Sequence, residues 1–147
     1  MGAILLALAT IPTGAPAQHP EALWYAVGSD ASTRSFIDHA SQIDIVAPQV
    51  FDLLPTGAIT GHLDPRVVAA AHEHHVKLVP LVMNPGFSQP AIHRVLTVAS
   101  ARRRALRSLA ALCRTDHLDG IQFDLENVNV ADRHRFTAFV RAAVDSV

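Results

Sequence analysis

Three polar side chains alternate with apolar ones in the stretch Asp119-Gly-Ile-Gln-Phe-Asp-Leu-Glu126. If this stretch is a β-strand, Gln122, Asp124 and Glu126 project from one face of a sheet, because successive strand side chains point to opposite faces. Three polar groups in a row are costly inside an ordinary core, so this face predicts a site. Crowding of the two carboxyls disfavours ionising both, and a carboxyl that stays protonated near neutral pH can act as a general acid. The alternative without a catalytic role is a solvated strand end or a structural ion pair with a helix arginine.

The elements that must position this stretch repeat as βα units, which indicates a parallel sheet. The predicted strands are nearly continuous in apolar residues, as expected when a sheet is covered on both faces. They run from Leu23 to Val27, Ile43 to Val50, Val76 to Met83 and Gly120 to Glu126. Four helices are predicted: one with Phe36, Ile37 and Ala40 on its apolar face, one from Asp64-Pro65 to near His75, one from Ser100 to Cys113, and one from Phe136 to Val147 capped at Asn129.

Glu126 falls at the carboxyl end of the fourth predicted strand, where (βα)8 barrels carry their catalytic groups. A complete barrel needs about 250 residues, and this chain has 147. We therefore predict an α/β fold, the N-terminal half of a (βα)8 TIM barrel with four βα units, over residues 18–147; the alternative is a small open doubly wound sheet. A half barrel leaves its first and fourth strands as open edges, so the isolated chain is expected to be unstable, to associate or to be inactive.

Residues 1–17 have the features of a signal peptide or a disordered leader. They contain the apolar run Ile4 to Ala9 and end in Ala15-Pro-Ala17, which fits a signal-peptidase site, although no Lys or Arg precedes Arg34. The apolar run is too short to cross a bilayer as a helix, so no transmembrane span is predicted. We expect a secreted or cell-envelope protein.

Composition argues against several other classes of function. The net charge of −1 offers no broad basic surface for nucleic acid. The lone Cys113 cannot form an intrachain disulfide, and no Cys/His spacing matches a zinc site. The cluster His72-Glu-His-His75 lacks the H-E-x-x-H pattern, so a metal is not expected there. The sequence thus indicates no cofactor and leaves the oligomeric state open.

The stretch from Asp119 to Glu126 resembles the fourth-strand motif of family-18 glycoside hydrolases, D-G-x-D-x-D-x-E. Asp119, Gly120, Asp124 and Glu126 match that motif, and Gln122 stands where the family usually has the second aspartate of the motif. Bacterial spore-cortex and other peptidoglycan-acting members are the most similar. That similarity is carried by Ile45-Val-Ala-Pro-Gln-Val-Phe51, Leu78-Val-Pro-Leu-Val-Met-Asn84 and Asn127.

The resemblance implies a retaining mechanism without a protein nucleophile. Glu126 would protonate the glycosidic oxygen and later serve as base, while the substrate's own 2-acetamido group attacks the anomeric carbon and Asp124 orients that group. The implied substrate is an N-acetylated polysaccharide or oligosaccharide that contains N-acetylglucosamine, from chitin or peptidoglycan. Because the Gln122 amide cannot ionise, a slower or pH-shifted enzyme is expected.

The remaining candidates concern sugar contacts and the turn into the strand. Asp119 and Gly120 are expected to form the turn. Substrate contacts are predicted for Tyr25, Gln49, Asn84, Gln122 and Asn127, with ordinary loop hydrogen bonding as the alternative. A lectin-like barrel, disfavoured by the retained acid, and an inactive fragment remain as alternative functions.

Overall fold

The computed structural model describes residues 20–115 and 117–146, so the predicted leader lies outside the described residues. The strands are β1 (Leu23–Val27), β2 (Ile45–Leu53), β3 (Ile59–Thr60), β4 (Lys77–Leu78), β5 (Leu81–Met83) and β6 (Gln122–Asp124). The α-helices are α1 (Asp30–His39), α2 (Pro65–Glu73), α3 (Gln89–Thr97), α4 (Ala99–Thr115) and α5 (Arg133–Val144). Short 3₁₀ turns occur at Ala40–Gln42, Pro85–Phe87 and Val130–Asp132.

The strands form one sheet in the order β1-β2-β5-β6, and these neighbours are parallel. β4 also pairs parallel with β2, whereas β3 is a short antiparallel addition to β2. The predicted third strand is therefore divided into β4 and β5 at Val79-Pro80, where proline has no N–H to give to a ladder. The Pro80 carbonyl instead accepts the Gln122 N–H at 2.9 Å. The predicted α/β fold with a parallel sheet is confirmed.

Helices cover one face of the sheet, and the core divides into two clusters. Phe36 of α1 and Leu78 of β4 belong to the first, with Val67, Ala70 and Ala71 from α2. Val82, Leu109 and Phe139 belong to the second, which joins β5 to α3, α4 and α5. The other face of β1 is open, since Leu23, Tyr25 and Val27 are 43 %, 48 % and 49 % exposed. Coverage of both faces, expected from the apolar runs, is therefore wrong for β1.

Helix α3 was not predicted, because its first residues fall in a stretch that reads as a proline-containing loop. The Ser88 hydroxyl caps it by accepting the Ala91 N–H at 3.4 Å, and Pro90 lies in the first turn, where its missing N–H costs nothing. Ile92, Val95 and Leu96 are fully buried. Their i, i+3, i+4 spacing was the available signal.

The last helix also differs from its prediction at both ends. Asn129 caps the 3₁₀ turn Val130–Asp132 rather than the α-helix, which begins at Arg133. Phe139 and Ala143 are buried, but Val144 is 66 % exposed. The apolar stripe is therefore buried over a shorter length than its periodicity predicts.

The N-cap of α2 provides a stability test. Asp64 accepts the Arg66 backbone N–H at 2.9 Å, and hydrogen bonds from Arg66 lower the pKa of Asp64 from 3.8 to about 2. Asp64→Ala is expected to lower the free energy of unfolding by about 1 kcal/mol at pH 7, whereas Asp64→Asn retains a cap acceptor and loses less. Urea unfolding of the wild type and both variants measures this difference.

Lowering the pH separates the contribution of the Asp64 charge to stability from that of its capping oxygen. The pKa of Asp64 is lower in the folded state than in the unfolded state. The Asp64 charge therefore contributes stability above about pH 4, and this contribution is lost as the pH falls towards 2. The small advantage of the wild type over Asp64→Asn should therefore disappear across that interval. An advantage that grows on acidification would contradict this account of the cap.

Candidate active site

Two of the three residues of the predicted polar face, Gln122 and Asp124, lie on β6, which ends before Glu126 although the strand was predicted to reach it. Leu81, Val82 and Met83 of β5 are in register with Gln122, Phe123 and Asp124. Phe123 packs against Phe139 of α5 with ring centroids 5.9 Å apart, so Gln122 and Asp124 face the other way. Both are partly buried, and Glu126, two residues beyond the end of β6, is exposed.

Gln122 and Tyr25 meet across the open face of the sheet. The Gln122 Nε2 donates a hydrogen bond of 2.9 Å to the Tyr25 Oη, although β2 and β5 separate β1 from β6 in the sheet. These two side chains must therefore project over the same face. Two of the residues predicted to contact sugar are thus brought together, with Tyr25 48 % exposed.

Asn84 follows β5 and holds the backbone of Glu126. Its Oδ1 accepts the Glu126 N–H at 2.9 Å, and its Nδ2 donates to the Glu126 carbonyl at 3.1 Å and to the Ser88 carbonyl at 3.3 Å. Asn84 is 1 % exposed. Its amide is therefore directed at protein backbone and not at the open face where the predicted sugar contact would occur.

The loops after β5 and β6 are joined by further hydrogen bonds. The Asn127 Nδ2 donates to the Phe87 carbonyl at 3.4 Å, and the Gln89 Nε2 donates to the Asn127 carbonyl at 3.2 Å. Asn127 has φ 56°, a left-handed conformation that asparagine adopts more readily than most residues. Phe87 and Gln89 were missed from the sequence; their position in a loop after a strand was the only signal for them.

Gln49 lies on β2, in register with Val27 and Leu81, and Leu81 is in register with Gln122. Two strand spacings place its backbone about 10 Å from that of Gln122. Gln49 lines a cleft of about 590 Å³ at the carboxyl ends of β1 and β2. The cleft also has polar groups from Ser29, His62, Asp64 and Arg66.

A larger groove, of about 920 Å³, lies elsewhere. It runs along the outer surface, lined mainly by residues of α2, α4 and the segment between Phe51 and Leu63. None of the residues predicted for the site lines it. We therefore place the candidate site at the carboxyl ends of the strands, where the polar side chains meet.

Asp119 anchors the start of the β6 segment to β4. Its Oδ2 accepts the Leu78 N–H at 2.8 Å, and its own N–H donates to the Leu78 carbonyl at 3.1 Å. A Cβ added to Gly120 would meet only Val79 Cγ1, at the ordinary distance of 3.8 Å. The position of Gly120 is therefore not set by steric crowding.

Behind the loop that follows Glu126, Asp132 is 1 % exposed and accepts hydrogen bonds from His93 Nδ1 at 2.5 Å and from Arg135 at 3.1 Å. The hydrogen bond from His93 lowers the pKa of Asp132. The pair ties the end of this loop to α3. Asn84, Asn127 and Asp132 thus hold successive parts of the segment that carries the predicted acid.

No protein-family model matches the sequence. YdhD of Bacillus subtilis, whose name describes a sporulation-specific glycosylase, is 28 % identical over 112 residues, which are 74 % of this chain. A chitinase from Chromobacterium violaceum superposes with a TM-score of 0.77 and 23 % identity over 86 % of the chain. The spore cortex-lytic enzyme SleL of Bacillus cereus also gives a TM-score of 0.77, with 16 % identity over 84 % of the chain.

The predicted resemblance to chitinase-like glycoside hydrolases is confirmed.

The chain spans only part of each of these proteins. It covers 27 % of YdhD, 41 % of the chitinase and 31 % of SleL. The open face of the sheet, where Tyr25 and Gln122 meet, is the side that a barrel encloses.

Within residues 20–115 and 117–146, no helix has both the length and the apolar character needed to cross a membrane. In the same residues, no three His, Cys, Asp or Glu side chains come together as ligands for a metal ion would.

Proposed function

We propose that this chain supplies the catalytic acid, on the segment that follows β6, of a glycosidase that cleaves glycans containing N-acetylglucosamine, such as chitin or peptidoglycan. The observation that carries the proposal is the placement of Glu126 beyond β6, held through its backbone by Asn84, beside a face that bears Gln122 and Asp124. The names of the similar proteins include chitinases and spore cortex-lytic enzymes, which supports this substrate class.

The proposed reaction retains the configuration of the anomeric carbon. Glu126 gives its proton to the glycosidic oxygen as the bond from that oxygen to the anomeric carbon breaks, and the 2-acetamido oxygen forms a bond to the same carbon. Asp124, the last residue of β6 and two residues before Glu126, orients the acetamido group. Water then opens the cyclic intermediate while Glu126 takes up the proton, which restores both groups.

Other side chains of the open face would bind the sugar. Tyr25 and Gln122 present polar groups beside β6, and Gln49 extends this polar surface towards the cleft of about 590 Å³. That volume suits small ligands. We assign these side chains to orientation and binding of sugar hydroxyls, and we assign the proton transfer to Glu126 alone.

The proposal is tested by assaying glycan cleavage in a protein where this chain is joined to the remaining strands of a barrel. Release of reducing ends is measured on N-acetylglucosamine oligomers and on spore-cortex peptidoglycan. We expect cleavage of at least one of them, together with chemical-shift changes at Gln122 and Asp124 when oligomers are titrated into the labelled 147-residue chain. Absence of both cleavage and shift changes would contradict the proposal.

Gln122 gives a separate prediction about pH. Gln122→Asp adds a negative charge to the face of β6 that bears Asp124, and like charges disfavour the ionised form of a neighbouring carboxyl. The pH–rate profile of the barrel-containing protein is therefore expected to move to higher pH. Gln122→Glu, whose longer side chain carries the same charge, is the matched comparison and should shift the profile in the same direction. A profile that stays in place or moves to lower pH would contradict this role for position 122.

A further inference from the structure

We propose that Asn84 is the positioning residue for Glu126. Its side-chain amide pairs with the Glu126 backbone and replaces the hydrogen bonds that a neighbouring strand would make. This inference rests on the proposed function only for its effect on rate. Its structural part, the restraint on Glu126, stands on the described contacts alone.

The contacts have the form of a sheet ladder that continues after the strands end. β5 and β6 are in register up to Met83 and Asp124. The next residue of the β5 segment, Asn84, turns its side-chain amide to Glu126 and satisfies both its N–H and its carbonyl, at 2.9 and 3.1 Å. A side-chain amide can do this because it carries an acceptor and donors together.

Burial makes these bonds consequential. Asn84 is 1 % exposed, and the Ser88 carbonyl takes part in the same set at 3.3 Å. The Glu126 side chain, by contrast, is exposed, so its location follows mainly from where its backbone is held. The residue that follows, Asn127, has φ 56°. The chain therefore turns sharply directly after the residue whose backbone Asn84 holds.

The test uses two substitutions at one position. Asn84→Ala removes the acceptor and both donations. Asn84→Asp keeps an acceptor, but its charged form places a buried carboxylate against the carbonyls of Glu126 and Ser88, which raises the pKa of the introduced carboxyl. Once protonated, that carboxyl again offers one donor and one acceptor. The Asn84→Asp variant should therefore recover as the pH falls from about 8 to about 5.

Two measurements test the inference: one follows the restraint on the Glu126 backbone, and the other follows the rate of catalysis. Amide hydrogen exchange of Glu126, in the 147-residue chain and relative to wild type at each pH, is expected to accelerate about tenfold in Asn84→Ala. In the barrel-containing protein, kcat is expected to fall about 100-fold with KM changed less than about threefold. For the exchange measurement, Thr33→Val is the matched control, since Thr33 is also a buried polar residue, 4 % exposed, but its hydroxyl donates to Asp64 at the start of α2.

The outcomes separate the inference from the proposed function. Faster Glu126 exchange in Asn84→Ala, recovery of Asn84→Asp at low pH and an unaffected Thr33→Val support the inference. Unchanged Glu126 exchange, equal acceleration in Thr33→Val, or full kcat in Asn84→Ala would overturn it. If the wild type cleaves no glycan while Glu126 exchange responds as described, the proposed function fails and the positioning of Glu126 by Asn84 stands.

Discussion

Glu126→Gln is expected to lower the rate of glycan cleavage by about 10²–10⁴-fold, because it removes the proton donor and keeps the volume of the side chain. Folding should be nearly unchanged. The Glu126 side chain is exposed, and the bonds that Asn84 makes to residue 126 involve only backbone atoms. The rate is measured on N-acetylglucosamine oligomers with the barrel-containing protein, and folding is measured by thermal unfolding of the same samples.

The matched control for this substitution is Glu73→Gln. Glu73 is also exposed, but it lies at the end of α2 and not beside β6. The control removes the same charge and should leave the rate at its wild-type value. Wild-type turnover by Glu126→Gln, or an equal loss in Glu73→Gln, would show that Glu126 is not the acid.

Gly57→Ala is expected to lower the free energy of unfolding by about 2–5 kcal/mol from combined backbone strain and overpacking. Gly57 has φ +81°, and a Cβ there would lie 2.1 Å from the Ala101 carbonyl oxygen and 2.8 Å from the Ala105 nitrogen. Both atoms belong to the backbone of α4, which cannot move aside cheaply. Urea unfolding provides the measurement.

Gly86→Ala separates the steric part of this effect from the conformational part. Gly86 has φ +57°, but a Cβ there meets nothing within 4 Å. Its cost should therefore be the strain alone, about 1–2 kcal/mol. Equal losses at Gly57 and Gly86 would mean that the close approach to α4 contributes nothing.

Local sequence signals predicted much of the frame that holds the site. The first strand was predicted with the bounds that β1 has, and the Asp-Pro start of α2 followed from capping chemistry at Asp64 and Pro65. The alternation around Phe123 correctly separated the core side of β6 from the polar side. These features depend on residues near each other in the chain, which is why single-sequence patterns reveal them.

The parts that the sequence did not reveal depend on distant contacts. Asn84 meets Glu126 across 42 positions, and Tyr25 meets Gln122 across 97. No local pattern indicates that the Asn84 amide turns towards backbone and not towards the open face. The open face of β1 was missed for a related reason, since an apolar run looks the same whether one or both of its faces are covered.

In the proposed reaction, this chain supplies the acid and the substrate's acetamido group is the nucleophile. The most direct test compares N-acetylglucosamine oligomers with the same oligomers after removal of their acetyl groups, using the barrel-containing protein and following the anomeric form of the first product. Because the acetamido group is the nucleophile, we expect cleavage of the acetylated oligomers only, with retention of configuration. Equal cleavage of the deacetylated oligomers, or inversion at the anomeric carbon, would contradict it.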